Sequence, residues 1–382
     1  MEDSNTDQLT FFHTQQQPSA DAQRLNLLAL SQVRGLGEAS LKALLKHFSD
    51  LSSVWGAKPL ELQEVLVDAG LKDSQNVVDQ IVHKHRKFLD DAQRTLDSLE
   101  RGGIKLLVVQ DAEYPKQLLQ TSDPPRWLFV EGDAGTLSIP NLIAVVGTRR
   151  PSDKGILLTR TISGWLARKG FGIVSGLAEG IDEVAHQTAL DYGAPTIGIL
   201  GTGICEVFPR STVQLRKDIV KRGGAIVTEY FPRDRYSRSR FVRRNRIQAG
   251  LAYATVPVEA QARSGTAHTY RYALEYGRVT FGVERSSKPM ENGILDLLRA
   301  DNRPVFDLDS PESVRNLEEL LKPVLKGAPS DQNESRLFEA VMREFKRVLA
   351  FYPVTEEELE ELKTQIVEEW TRAERDGQSS NP

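Results

Sequence analysis

The chain has 382 residues, 40% of them hydrophobic and 27% charged, with a formal net charge of −4. That suits a globular protein of two or three domains and excludes nucleic-acid binding through bulk charge, leaving only a local basic patch for that role. No apolar run approaches the ~20 residues that span a bilayer. The start, MEDSNTDQLTFFHTQQQPSADAQ, lacks the basic and apolar parts of a signal peptide, and the single cysteine, Cys205, excludes an internal disulfide; a cytoplasmic protein with no membrane partner is expected.

Residues 1–22, rich in Gln, Asp and Ser, are expected to be a disordered tail. Residues 23–100 read as a helical domain. LNLLALSQVRGLGEASLKALLKHFSDL places an apolar helix, the turn Val33-Arg34-Gly35-Leu36-Gly37, and an amphipathic helix. A VxGLG turn between helices is the signature of a helix-hairpin-helix (SAM-like) unit, whose backbone amides can meet a DNA phosphate. The same pattern also fits a small bundle in which the turn only packs, because no lysines flank it. More helix runs to about Glu100, where Arg101-Gly102-Gly103 closes it. IKLLVVQDAEYPKQLLQTSDPPRWLFVEGD then reads as a strand, a short helix started by Tyr114-Pro115, a Pro-Pro turn and another strand.

Between Leu142 and Val283 one unit recurs: a short apolar run, a small-residue turn and an amphipathic segment. The runs LIAVVG, GIVSG, TIGILGTG, AIVTEY and ATVPVEA are rich in Val and Ile, as strands buried on both faces should be. Repeated βα units predict an α/β fold, a Rossmann-like doubly wound, mostly parallel sheet over 101–310. Three turns at strand ends suit phosphate binding: Gly147-Thr148-Arg149-Arg150, Ser175-Gly176, and Gly201-Thr202-Gly203 followed by Arg210. The competing reading is that they are tight βα turns carrying solvated arginines.

The sharpest local feature is charge. From Arg233 to Arg246 there are seven arginines and one acid, Asp234, a local excess of six positive charges. Arg243, Arg244 and Arg246 open a helix after a loop carrying Arg233, Arg235, Arg238 and Arg240. Helical spacing puts Arg243 and Arg246 on one face with Arg244 to the side, and Asn245 is placed to bond a nucleotide. Such a cluster suits a phosphodiester backbone; a solvated basic loop is the alternative. Ser264-Gly265-Thr266 opens the next helix as a further anion site. Phe231 and Tyr236 are the aromatics near enough in sequence to stack bases.

Several chemistries lose their residues. LGTGICE has Glu206 where a dinucleotide site needs a small residue, and no G-x-x-x-x-G-K-[ST] occurs, so a P-loop is absent. Thr269 stands where a related phosphoribohydrolase would carry its glutamate. Asp182 and His186, spaced i,i+4, form a weak base-and-orienter pair, since a carboxylate at a helix start normally caps. No catalytic residue, cofactor or metal site is expected.

After residue 310 the pattern changes to an acidic helical extension, 311–382. It contains an amphipathic helix ended by Pro353 and a last helix started by the capping box Thr355-Glu356-Glu357-Glu358. No strand pair of a winged helix follows.

The order of motifs carries a resemblance. YPKQLLQTSDPPRWLFVEG, AVVGTRRPSDKG, IVSGLAEGID, ILGTGICEVFPRS, FVRRNRIQAGLA and VPVEAQARSGTAHTYRYALEYGR resemble, in sequence, the motifs of the bacterial DNA-processing protein A (DprA, or Smf) family. The likeness covers about Leu25 to Asp309. It departs at Glu179 (usually Arg or Leu), at Val242 (usually Pro), at Ser211-Thr212 near a usual Asn, and at Val283-Glu284-Arg285, where the family has a proline and glycine; it reads as a divergent member. The resemblance implies a non-enzymatic protein that binds single-stranded DNA, forms a homodimer and helps load the RecA recombinase in transformation or repair. Phosphates would then lie over the glycine turns, clamped by Arg149, Arg210, Arg240 and Arg243 to Arg246. The alternative is a nucleotide-binding sensor or hydrolase using the same pocket.

Overall fold

A computed structural model describes residues 19–325 of the chain. Most of the expected N-terminal tail and the acidic helices beyond residue 325 lie outside the described residues. The chain divides into two compact units, Met1–Tyr114 and Pro115–Pro382.

The first unit holds helices α1 (Ala20–Ser31), α2 (Glu38–Phe48), α3 (Pro59–Asp68) and α4 (Ser74–Arg101), then strand β1 (Ile104–Val108). The Ser19 side chain caps α1 by accepting from the Ala22 amide. Leu27, Leu28, Leu30, Leu41, Leu44, Leu62, Leu66, Val77, Val78 and Ile81 are buried and supply its core. The turn between α1 and α2 needs Gly35, whose φ is +96°. Its Arg34 amide donates to Gln80 Oε1 (3.2 Å), and Gln80 Nε2 donates back to Arg34 O (3.1 Å). Glu38, paired with Lys42 at 3.1 Å, places a carboxylate in the first turn of α2. The Arg34 amide in this turn is therefore used within the protein.

The second unit runs α5 (Lys116–Leu119), β2 (Trp127–Gly132), β3 (Leu142–Val146), α6 (Asp153–Arg168), β4 (Gly172–Ser175), α7 (Ile181–Asp191), β5 (Thr196–Ile199), α8 (Val213–Lys221), β6 (Ala225–Thr228), α9 (Arg238–Arg243), α10 (Asn245–Leu251), β7 (Ala254–Pro257), α11 (Gly265–Glu275), β8 (Val279–Thr280), β9 (Gly282–Glu284), α12 (Gly293–Ala300), β10 (Val305–Asp307) and α13 (Pro311–Leu325). Its main sheet is ordered β2-β6-β5-β4-β3-β7-β8, parallel except where β2 meets β6. β9 and β10 form a separate parallel pair. Every residue of β3 to β7 is buried, as expected when helices cover both faces. Ile143 and Val145, two apart and so on one face of β3, share a core with Leu158 and Ile162 of α6 and Ile181 and Ala185 of α7.

The mostly parallel α/β sheet is the predicted one. The chain steps from β3 through β4 and β5 to β6, then returns to lay β7 on the other side of β3. That reversal leaves a crevice beyond the C-terminal ends of β3 and β7, where helices diverge and a ligand can reach backbone amides.

Candidate functional site

A cleft of about 790 Å³ occupies that crevice. One wall is Val146 to Arg150 after β3; the other is Ala260 to Thr269 after β7 and into α11; α9 and α10 close the third side. Arg149, Arg150, Arg238, Arg263 and Arg271 line it, and all five are exposed. Among the described residues none of the five is ion-paired, and the only carboxylate in the lining, Asp182, faces Arg244 at 3.9 Å. A concave surface with one sign of free charge concentrates anions.

The predicted residues divide into two groups. Thr148, Arg149, Asn245, Ser264, Gly265 and Thr266 line the cleft together. Arg149 lies over the Phe241 ring, 5.4 Å from its centroid. Ser264 caps α11 by accepting from the Ala267 amide (3.4 Å), leaving other first-turn amides toward the cleft. Asn245 Nδ2 donates to Gly265 O at 3.0 Å, tying α10 to the start of α11. Gly147 lines the cleft too, yet its lack of a side chain is used inward: an added Cβ would sit 2.5 Å from Ile181. The amide end of α6 is also taken, because Glu259 accepts from Ser152 N (3.0 Å) and Ser152 Oγ (3.2 Å).

The second group is turned into the protein, although Arg244 also borders the cleft. Ser175 is buried and donates to Val145 O at 2.6 Å. The space over Gly176 holds the Arg244 guanidinium, with Nη2 2.2 Å from where a Cβ would stand. Gly201 is covered by the Phe241 ring and Gly203 by the Phe231 carbonyl. Arg244, 4% exposed, donates to Gly176 O (2.5 Å) and also to Ile199 O. Arg246, 2% exposed, pairs with Glu229 (2.5 Å) and Asp123 (3.1 Å). Arg243 also reaches Asp123 (3.3 Å), so the shared face inferred for 243 and 246 exists, but it is turned to a carboxylate of the protein itself. Arg240 pairs with Asp234 at 3.1 Å and lies over Tyr230. The sequence shows a string of arginines; the fold uses Arg244 and Arg246 to hold together the ends of the strands.

Burial sets the electrostatics of that second group. It lowers Arg244 to about 10, with Asp182 opposing the shift. Burial likewise raises Asp182, against the pull of Arg244. Burial also works to lower Arg246, but Glu229 and Asp123 together more than offset it and its pKa is raised. His186 falls to about 3, first through burial and then through Arg244, so it is a neutral core histidine bonded through Nδ1 to Thr196 Oγ1 at 2.7 Å. Asp182 instead accepts from the Gly176 amide at 3.2 Å. The two residues have different partners and form no base-and-orienter pair.

Beside the cleft lies an aromatic patch. Phe208 (38% exposed), Tyr236 (48% exposed) and Phe241 have ring centroids 4.6 to 5.4 Å apart. Arg210 and Glu179 share the adjoining pocket with Phe208 and Arg149. Of the two aromatics singled out in the sequence, Tyr236 is in this patch, while Phe231 stacks on Trp127 at 5.5 Å. Sequence reasoning missed Phe208, although it stands in the same motif as Gly201 and Arg210. It also missed Arg271, which follows Ser264 by seven residues, two helical turns, and so faces the same way.

Among the described residues no helix is long and apolar enough to cross a membrane. A model of the family described as DNA recombination-mediator protein A matches residues 105–311. The Smf protein of Synechocystis sp. is 36% identical over 284 residues, which cover 73% of this chain and 69% of that protein. The solved DNA processing protein A of Streptococcus pneumoniae is 25% identical, with a TM-score of 0.60 over 77% of this chain and 97% of that one. That of Helicobacter pylori, solved for its single-stranded DNA binding mode, is 25% identical with a TM-score of 0.50 over 59% and 98%.

Proposed function

The chain belongs to the DNA recombination-mediator protein A family, and on that premise we propose that it binds single-stranded DNA in the arginine-lined cleft. The observation that carries this reading is the ring of five exposed arginines that have no carboxylate partner among the described residues, at the strand ends where the sheet reverses. Such charges release counterions from a phosphodiester chain on contact, which drives binding and makes it salt-dependent. The phosphates lie between Arg149 and Arg150 on one wall and Arg263, Arg271 and the first turn of α11 on the other. Bases turn toward Phe208 and Tyr236, whose exposed rings accept any base by stacking. Arg244 and Arg246 act behind this surface as supports.

It is a binding protein without catalysis, a reading that family membership supports. It works as a homodimer in the cytoplasm and passes the strand to the RecA recombinase in transformation or recombination; family membership supports these steps. The proposed organisation is a helical unit, the strand-binding sheet unit and the acidic C-terminal extension.

The test is a salt titration of oligothymidylate binding to the parent and to an Arg149→Gln, Arg263→Gln pair. The pair should weaken binding and flatten the plot of log affinity against log salt by ~0.7 for each lost single-strand contact. An unchanged slope sinks the cleft as the strand site. The cleft volume is also that of a small-ligand pocket, so the same titration includes a nucleoside monophosphate; displacement of the strand at micromolar monophosphate would favour the sensor reading instead.

A further inference from the structure

Helix α11 starts in the cleft and leaves it. Its outer face carries His268, Tyr272 and Tyr276 at i, i+4 and i+8, a stripe about 12 Å long. Alongside this stripe lies a second groove of about 800 Å³, which shares Arg238, Val242 and His268 with the cleft. The two cavities therefore meet across Arg238 and His268. The Tyr272 and Tyr276 rings are 6.0 Å apart and inclined by 25°, a stacked pair. Tyr272 is half-buried, and among the described residues its hydroxyl makes no hydrogen bond, so the fold gives that ring's polar end nothing to hold.

The groove is lined by Arg238, Arg243 and Arg246 together with the carboxylates of Asp123 and Glu275. Asp123 is held by Arg243 at 3.3 Å and by Arg246 at 3.1 Å, and Glu275 accepts a hydrogen bond from Ser122. Arg238, at the junction with the cleft, has no ion pair among the described residues. We propose that this groove is a second nucleotide subsite, in which a base of the bound strand stacks on Tyr272 while its phosphate crosses Arg238. This rests on the reading of the cleft as the strand site and extends the path along α11. Burial pushes Tyr276, behind Tyr272, up to about 12, with Arg246 opposing the shift and Glu275 and Asp123 adding to it.

The experiment measures binding of the full-length protein to oligothymidylates from about 4 to 16 nucleotides, a span typical of one single-strand module. The parent should gain affinity with length until cleft and groove are both filled. Tyr272→Ala should match the parent on the shortest strands and fall about tenfold behind on the longer ones, the loss expected of one stacked base. Tyr272→Phe should restore the gain, because the ring face and not the hydroxyl carries it. Equal binding by Tyr272→Ala and parent at every length overturns the proposal, as does an equal loss at every length. No binding by the parent at any length defeats the cleft reading itself, and is seen before any variant is compared.

Discussion

The two sides of one sheet edge use the same sequence pattern for opposite ends. On one side, after β3 and before α11, the arginines of the turns open to solvent: Arg149, Arg150 and Arg263 are exposed, and Gly265, unlike Gly147, has no neighbour within 4 Å of a Cβ position. On the other, after β4 and β5, the turns at Gly176 and Gly201 are filled by Arg244 and Phe241. A glycine in a turn at a strand end therefore says only that a group will come close. Whether it is a phosphate or the protein's own guanidinium depends on what the next helix places above the turn. Here α10 brings Arg244 and Arg246 back over the strand ends, and α11 stays clear.

The contrast predicts where stability and binding separate. Arg246→Ala leaves Glu229 buried without its main partner, the side chain of Glu229 being 1% exposed; removing one member of a buried pair costs ~3–5 kcal/mol. Urea unfolding should show that loss. Arg263→Ala, exposed and unpaired among the described residues, should stay within about 0.5 kcal/mol of the parent. If Arg246→Ala unfolds at the parent's urea midpoint while strand binding collapses, Arg246 belongs to the open side and the comparison fails.

Gly176→Ala comes next. The new methyl would stand 2.2 Å from Arg244 Nη2 and must displace a guanidinium fixed by Gly176 O and Asn245 Oδ1. Overpacking of this kind costs ~1–3 kcal/mol, and the same urea series would register it. A third comparison separates packing from contact within the aromatic patch. Phe208→Ala removes an exposed ring and should weaken single-strand binding by ~1–3 kcal/mol with little change in unfolding. Phe241→Ala removes a buried ring that covers Gly201 and should cost ~3–5 kcal/mol in unfolding.

The same contrast explains how much was readable beforehand. The fold was legible because periodicity is local: LIAVV, GIVS, TIGI, AIVT and ATVP are strands since both faces need apolar residues. Helical spacing also placed Arg243 and Arg246 on one face. What spacing could not give was the direction of that face, because Asp123 lies about 120 residues away in sequence and Glu229 on a different segment. Glu259 illustrates the same gap. A carboxylate at the end of a strand gives no local sign that it will reach the amide end of α6 and occupy the place a phosphate was expected to take. Phe208 was hidden differently, since exposure of an aromatic is a property of the finished surface.

The smallest effect is the most discriminating. Gly265→Ala makes the same chemical change as Gly176→Ala at a turn that looks alike in sequence. Gly265 opens α11 just after the Ser264 cap, its φ is outside the left-handed region, and a Cβ there meets nothing within 4 Å. Alanine is at least as good a helix former as glycine, so the urea midpoint should move by no more than about 0.5 kcal/mol in either direction. The methyl does enter the cleft at the helix end offered to phosphate, and strand affinity should fall a few-fold with the salt slope unchanged, because no charge is lost. A midpoint shift as large as that of Gly176→Ala would mean that α11 is covered as α10 covers Gly176, and the open wall would have to be sought elsewhere on the edge.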